Sequence, residues 1–280
     1  MASPILQINK SDIRIRPSAV DGFYNCAFQW AKRFLEGVPQ GPSGARASIG
    51  TGIHAGAEQF WDEVKPTGDR EKFNLSAMTD RAVESFREDI KNGVKYDEGE
   101  NENTAIVEIA NGVEAFADDI GQFVMIPDMV EEYLEVEIDH PLVVAVGGTL
   151  DYKAKGTIAD IKTSKRKLSP PSYVVQQSIY RYLAEMNGHT ITSNTIQGVV
   201  LGKRSVDGMV LPLETNVEQA KFLVNGMLDR LTLALQDNIP IEVLFPGNPK
   251  YYLCSRKYCE QHDTCPYVNG KDIKKVQVAL

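Results

Sequence analysis

The chain's periodicity predicts an α/β fold with a helical N-terminal elaboration, and three observations carry that prediction. Apolar residues recur at helical spacing through about residue 120, then alternate as in strands from Glu131 onward. Three strand-like runs follow one another directly, and a helix and another strand come next, which is the order of a mixed sheet with helical cover. No low-complexity or Gly/Pro/Ser-rich linker separates independent parts of the 280 residues, so a single domain over 1–280 is expected.

Residues 18–36 read as one amphipathic helix, followed by a Gly/Pro/Ser loop over 37–48. IGTGIHAGAEQFWDEV (49–64) is a second helix, and helical spacing returns at 75–93 and 103–120 around the polar stretch NGVKYDEGENEN. These segments form a mainly helical part, 1–125. EEYLEVEI (131–138), LVVAVGGTLDYKA (142–154) and, after a tight turn, KGTIADIKTS (155–164) make a three-strand meander. Pro170-Pro171 open a helix that Asn187-Gly188 close. NTIQGVVLGKR (194–204) and a short run at 209–213 read as strands, and 216–237 as a long helix. The core thus spans 126–245, and 246–280 is an irregular, cysteine-rich segment.

Composition is ordinary for a globular chain, with 42% hydrophobic and 24% charged residues. No apolar run approaches the roughly 18–20 residues needed to span a bilayer. MASPILQINKSDIRIR lacks the basic-then-apolar layout of a signal peptide, so a cytoplasmic location is expected, in a host's cytoplasm if a phage encodes the chain. A net charge of −8 disfavours a general polyanion binder. The charge is uneven, however. Residues 97–139 are acidic, whereas Lys162, Lys165, Arg166 and Lys167 form a basic stretch, with Lys203-Arg204 a second one.

The stretch GGTLDYKAKGTIADIKTSKRK (147–167) poses the chemical question. Asp160 and Lys162 are two apart on one strand and share a face, and a hairpin would bring Asp151 beside them. Adjacent, partly buried carboxylates repel one another and lose hydration unless a cation neutralises them. Such oxygen ligands suit Mg²⁺ or Mn²⁺. A neighbouring lysine would then act on the attacking water or on charge developing at phosphorus. The ordinary alternative, exposed carboxylates and a lysine on a surface hairpin, fits the spacing taken alone.

Five features in order change that balance: GTGIH (50–54), GGTLD (147–151), DIK (160–162), QQSIY (176–180), and one early cysteine, Cys26, matched by Cys254, Cys259 and Cys265. Together they resemble the PD-(D/E)XK nuclease superfamily and, within it, the RecB-like branch. That branch includes nuclease domains of bacterial recombination helicase-nucleases, CRISPR adaptation nucleases and phage recombination exonucleases. The resemblance implies a restriction-endonuclease-like mixed sheet flanked by helices. It implies His54, Asp151, Asp160 and the Ile161 carbonyl as ligands to Mg²⁺ or Mn²⁺, with Lys162 on the nucleophile. Gln176 and Tyr180, one helical turn apart, would contact DNA phosphate or hold the lysine, with Lys165, Arg166 and Lys167 steering the backbone. Glu58 is read as a supporting or surface residue, Tyr173 as packing, and Glu137 as a weak acidic candidate.

Four cysteines, three of them close together, point to metal where disulfides are disfavoured. The resemblance implies a [4Fe–4S] cluster that clasps the chain ends. Four residues separate Cys254 from Cys259 where two are usual in the family, and His262 gives structural zinc an alternative ligand. The expected activity is exonucleolytic hydrolysis of DNA, on single strands or ends, in recombination or repair. No G-x4-G-K-S/T motif occurs, so unwinding would need a helicase or recombinase partner. Two other readings stand beside it: a non-cutting nuclease-fold module that binds DNA or protein, and a zinc-stapled interaction domain.

Overall fold

The computed structural model describes residues 13–39, 41–202, 205–235 and 239–269. In chain order the elements are β1 (Ile13–Ile15), α1 (Pro17–Asn25), α2 (Ala27–Phe34), α3 (Ala45–Val64), α4 (Leu75–Ile90) and α5 (Glu102–Phe116). A π-helical turn (Ala117–Gly121) leads to β2 (Met129–Glu137), β3 (Val143–Ala154) and β4 (Thr157–Ser164). A 3-10 turn (Pro170–Tyr173) precedes α6 (Val174–Met186), β5 (Ser193–Leu201), β6 (Val206–Leu213), α7 (Val217–Leu235), α8 (Ile241–Leu244) and α9 (Pro266–Asn269). Among the described residues no helix is long and apolar enough to cross a membrane.

The chain forms two compact units. The first comprises Met1–Gly41, Glu135–Gly147 and Glu218–Leu280; the second comprises Pro42–Leu134 and Gly148–Val217. In the second unit β3 and β4 pair antiparallel, β4 and β5 parallel, and β5 and β6 antiparallel, which makes a mixed sheet. The β3–β4 turn holds two residues, Lys155 and Gly156, with φ of 47° and 87°. Positive φ at both positions matches the right-handed twist of the flanking strands, and glycine adopts it without a Cβ clash. The parallel β4–β5 pairing requires a crossover, which α6 supplies.

Helices α3, α4 and α5 cover one face of this sheet. Ile53, Phe60 and Trp61 pack with Met78, Phe86, Ile109 and Phe116 against Tyr152, Ala159 and Ile161. Trp61 meets the Tyr152 ring edge-on at 5.9 Å and Phe60 at 4.8 Å. Beneath the other face, Leu168, Ile196 and Leu213 pack with Tyr173 and Val174. Asn74 and Asn101 cap α4 and α5, each accepting backbone N–H groups that a helix start leaves unpaired.

In the first unit β1 runs parallel to the start of β3, pairing Ile13 with Val143 and Ile15 with Val146. Phe23 sits edge-on to Trp30 and Phe245 at 5.4 and 6.1 Å. His140 Nε2 lies 3.0 Å from Thr232 Oγ1.

The predicted helix over 18–36 is two helices. Cys26, at φ −157° and ψ 90°, leaves the helical region between α1 and α2. Both halves keep helical spacing, so the pattern alone does not mark the break. Helix α3 begins at Ala45, four residues before the position expected, and β1 is too short to show a period. Lys203-Arg204, the second basic stretch, lies outside the described residues.

Candidate active site and cysteine centre

The β3–β4 ladder pairs Ala154 with Thr157, Lys153 with Ile158 and Tyr152 with Ala159. One further step would oppose Asp151 and Asp160, and there the pairing stops. Asp151 Oδ2 instead accepts the Ile161 N–H at 2.6 Å, so a carboxylate replaces a backbone carbonyl as the acceptor. Asp160 is buried, and the Lys162 ammonium is 2.5 Å from its Oδ2. The contact is a short ion pair between a buried carboxylate and its neighbouring ammonium.

Helix α3 brings His54 over the strand ends. Its Nε2 lies 3.0 Å from the Ile161 carbonyl and its Nδ1 3.6 Å from Asp151 Oδ2. A carbonyl only accepts, so Nε2 carries the proton, and in the neutral ring Nδ1 turns its lone pair toward the carboxylate. Two acceptors face each other there, an arrangement that a cation between them would satisfy.

Glu131 completes the group, and the sequence reading missed it. One ligand atom each from His54, Glu131 and Asp151 fall within 4.8 Å of one another. The backbone bonds Asp128 N–H to Lys153 carbonyl and Ile138 N–H to Val144 carbonyl set β2 antiparallel to β3. Counting back from Asp128 puts Glu131 across from the Leu150–Asp151 step. Its φ of 48° is in the left-handed region, which a non-glycine residue occupies at a cost. Glu131 is exposed as a residue, yet desolvation of its carboxyl where it faces the site, with the charges of Asp151, Glu58 and Asp160, pushes its pKa up to about 8. The sequence carried a run of acids here but no sign of which one meets Asp151. Glu137, the weak candidate, belongs to the first unit and is exposed, and Glu135 pairs there with Arg14.

Burial and Asp151 likewise raise Asp160 to about 6, against the opposing pull of Lys162 and His54. For Lys162, burial works against the charge, but Asp160 and Asp151 outweigh it and hold the ammonium above its ordinary range. The Lys162 ammonium also lies 5.8 Å from the centre of the Tyr173 ring. On α6, burial and the two aspartates hold the Tyr180 phenol neutral above its ordinary range, with a hydrogen bond from Gln176. Gln177 is buried beside Asn194 instead, so the two glutamines have different surroundings.

A cleft of about 500 Å³ opens at His54, lined also by Thr51, Glu58, Arg81, Ser85 and Glu131. Glu58, read as a supporting residue, lies 3.9 Å from Arg81 at this cleft. Lys165 is held by Glu100 at 2.5 Å and by Glu108 at 3.6 Å, beside Arg46. Arg166 and Lys167 are exposed.

In the first unit one pocket gathers all four cysteines with Tyr251 and His262. None of the four forms a disulfide, and Cys26 and Cys265 are buried. Burial, then the neighbouring cysteines, push the Cys254 thiol above its ordinary range. Among the described residues the cysteine sulfurs do not gather three within 4.8 Å of one another, as the His54 group does.

The sequence profile of the PD-(D/E)XK nuclease superfamily matches residues 14–266. A crystal structure of a candidate exonuclease from Eubacterium rectale is similar to the chain, with 12% identity and a TM-score of 0.55, over 81% of this chain and 83% of that one. The structure of SSO0001 is 14% identical over 86% of this chain and 96% of that one, with a TM-score of 0.35. No curated protein sequence matches. The mixed sheet flanked by helices is the restriction-endonuclease-like fold of that superfamily.

Proposed function

The chain belongs to the PD-(D/E)XK nuclease superfamily, and from that premise we propose that it is a divalent-metal-dependent DNA exonuclease of the RecB-like branch, acting on single strands or DNA ends. The observation that carries this reading is the convergence of His54, Glu131 and Asp151, with the buried Asp160–Lys162 pair beside Asp151. Outward-facing surface groups would have no reason to turn toward one another at such electrostatic cost. His54, Asp151, Asp160 and the second lone pair of the Ile161 carbonyl would hold Mg²⁺ or Mn²⁺, with Glu131 as an added ligand. A bound ion of this kind polarises the scissile phosphate and lowers the pKa of water.

The chain's own groups do the rest. In the metal-free site Asp160 and Asp151 keep Lys162 charged; beside a bound ion it would orient the attacking water and offset negative charge at phosphorus. Tyr180 keeps its proton, with Gln176 beside it, and donates toward a phosphate oxygen. Arg166 and Lys167 steer the backbone; Lys165 contributes less, because Glu100 already holds it.

The four cysteines gathered in one pocket would hold a [4Fe–4S] cluster, as the family resemblance implies, with structural zinc as the alternative, to which His262 offers a further ligand. A role in recombination or repair, with a separate helicase or recombinase supplying strands, suits this chemistry.

Incubating end-labelled single- and double-stranded oligonucleotides with Mg²⁺, Mn²⁺ or EDTA tests the reading. Labelled mononucleotides or short products from the ends, stopped by EDTA, are expected. Intact DNA with both metals would leave the non-cutting module instead.

A further inference from the structure

On the first unit, a groove of about 700 Å³ is lined by Arg14, Arg16 and Arg33, with Trp30, Phe34 and Tyr258 between them. Among the described residues no acidic side chain lines it. Arg14 is braced by Glu135, Nε to Oε2 at 2.9 Å. Arg16 and Arg33 form no ion pair with any described residue. Burial and the charge of Arg16 lower the pKa of Arg33, so these two guanidiniums crowd one wall with no ion-pair partner among the described residues. Guanidinium remains protonated under such crowding, and an anion is what relieves it.

The aromatic half of the wall is ordered. The Arg33 guanidinium lies 4.9 Å from the centre of the Phe34 ring, which stacks on Trp30 at 4.8 Å. Trp30 Nε1 is buried without an acceptor, and Tyr258 is 45% exposed. Guanidiniums and aromatic rings that share one concave wall suit a polymer that offers phosphates and open base faces together. A duplex buries its base faces in its own stack, and a lone phosphate would leave the rings unused.

We propose that this groove binds a single strand of nucleic acid, with Arg16 and Arg33 on its phosphates and a base against the exposed Tyr258 ring. The choice of polymer rests on the nuclease reading. The groove itself shares no residue with the Asp151 group, so the two can be tested separately.

Fluorescence anisotropy of a labelled oligothymidylate, titrated with the full chain in EDTA at several salt concentrations, reads the groove. Hydrolysis of bis(p-nitrophenyl) phosphate with Mn²⁺, a diester too small to need the groove, reads the catalytic centre. Arg16→Ala/Arg33→Ala should weaken oligothymidylate binding about tenfold and flatten the salt slope by roughly 1.4, at about 0.7 per phosphate contact on single strands. Diester hydrolysis should be unchanged. Arg16→Lys/Arg33→Lys should recover most of the affinity, and the single change Arg33→Gln, at an exposed position, serves if the double variant misfolds. Unchanged affinity and slope in the alanine variant, or equal losses for duplex and single strand, would overturn the groove. A wild-type chain that hydrolyses neither the small diester nor DNA would overturn the nuclease reading, while the anisotropy still reports on the groove.

Discussion

Lys162 is held from two sides, by Asp160 at 2.5 Å and by the Tyr173 ring, and neither contact needs a metal. Lys162→Ala should therefore lower cleavage by about 10²–10³-fold, the usual effect of removing one transition-state donor, while calorimetry still finds Mn²⁺ bound. Asp160→Ala should lose both. Wild-type cleavage by Lys162→Ala would mean that the active site is misassigned. Glu131 permits a sharper test through pH. Its folded pKa of about 8 stands above the ordinary 4.5, so the metal-free native state holds a proton that the unfolded chain has released. Stability of the metal-free protein should thus fall as pH rises from about 4.5 to about 8, and Asp160 adds to the fall up to about 6. Glu131→Gln should raise the metal-free melting temperature at pH 8, flatten this dependence and weaken Mn²⁺ binding. An unchanged melting curve at pH 8 would mean that Glu131 is not crowded by its neighbours.

At the scale of elements, α3 positions His54 because small residues let its neighbours come close. A Cβ on Gly52 would sit 2.8 Å from the Ala82 carbonyl of α4, and that backbone atom cannot swing aside. Alanine favours a helix over glycine by about 1 kcal/mol. Overpacking of this kind typically costs about 1–3 kcal/mol, so the clash wins. Gly52→Ala should lower stability in urea denaturation, and cleavage should drop as α3 is pushed off the sheet. A stabilised variant would show that α4 yields freely. The β3–β4 hairpin was legible from Lys155-Gly156 between two alternating runs. The break at Cys26 was not, since it depends on what the cysteine must face.

For the whole molecule, the cysteine centre joins segments more than two hundred residues apart in sequence: Cys26 between α1 and α2, and the 254–265 loop. Closing so long a loop is costly in chain entropy, and the proposed metal group, binding only the folded state, would offset it. Protein purified without oxygen should be brown and should bleach in air. Cys26→Ser should lose most metal and melt at a markedly lower temperature, with some nuclease activity remaining at low temperature. A colourless protein with stoichiometric zinc would refute the iron assignment. Full metal content in Cys26→Ser would refute a centre that includes Cys26.

What the sequence determined by itself was whatever local period and spacing encode: the order of helices and strands from α3 to α7, the two-residue turn, and the face shared by Asp160 and Lys162. These follow from strand alternation and helical repeat, which act over a few residues. The resemblance carried by five short motifs extended that reading to His54, Gln176 and Tyr180. Only the tertiary structure decided that Glu131, rather than Glu137, meets Asp151, because strand pairing and one left-handed residue select among several similar acids. It also decided that Lys165 is engaged by Glu100 and Glu108, and that Arg16 and Arg33 line one groove. Charge pairing depends on distance in space, and no local pattern in the chain records which residues folding brings together.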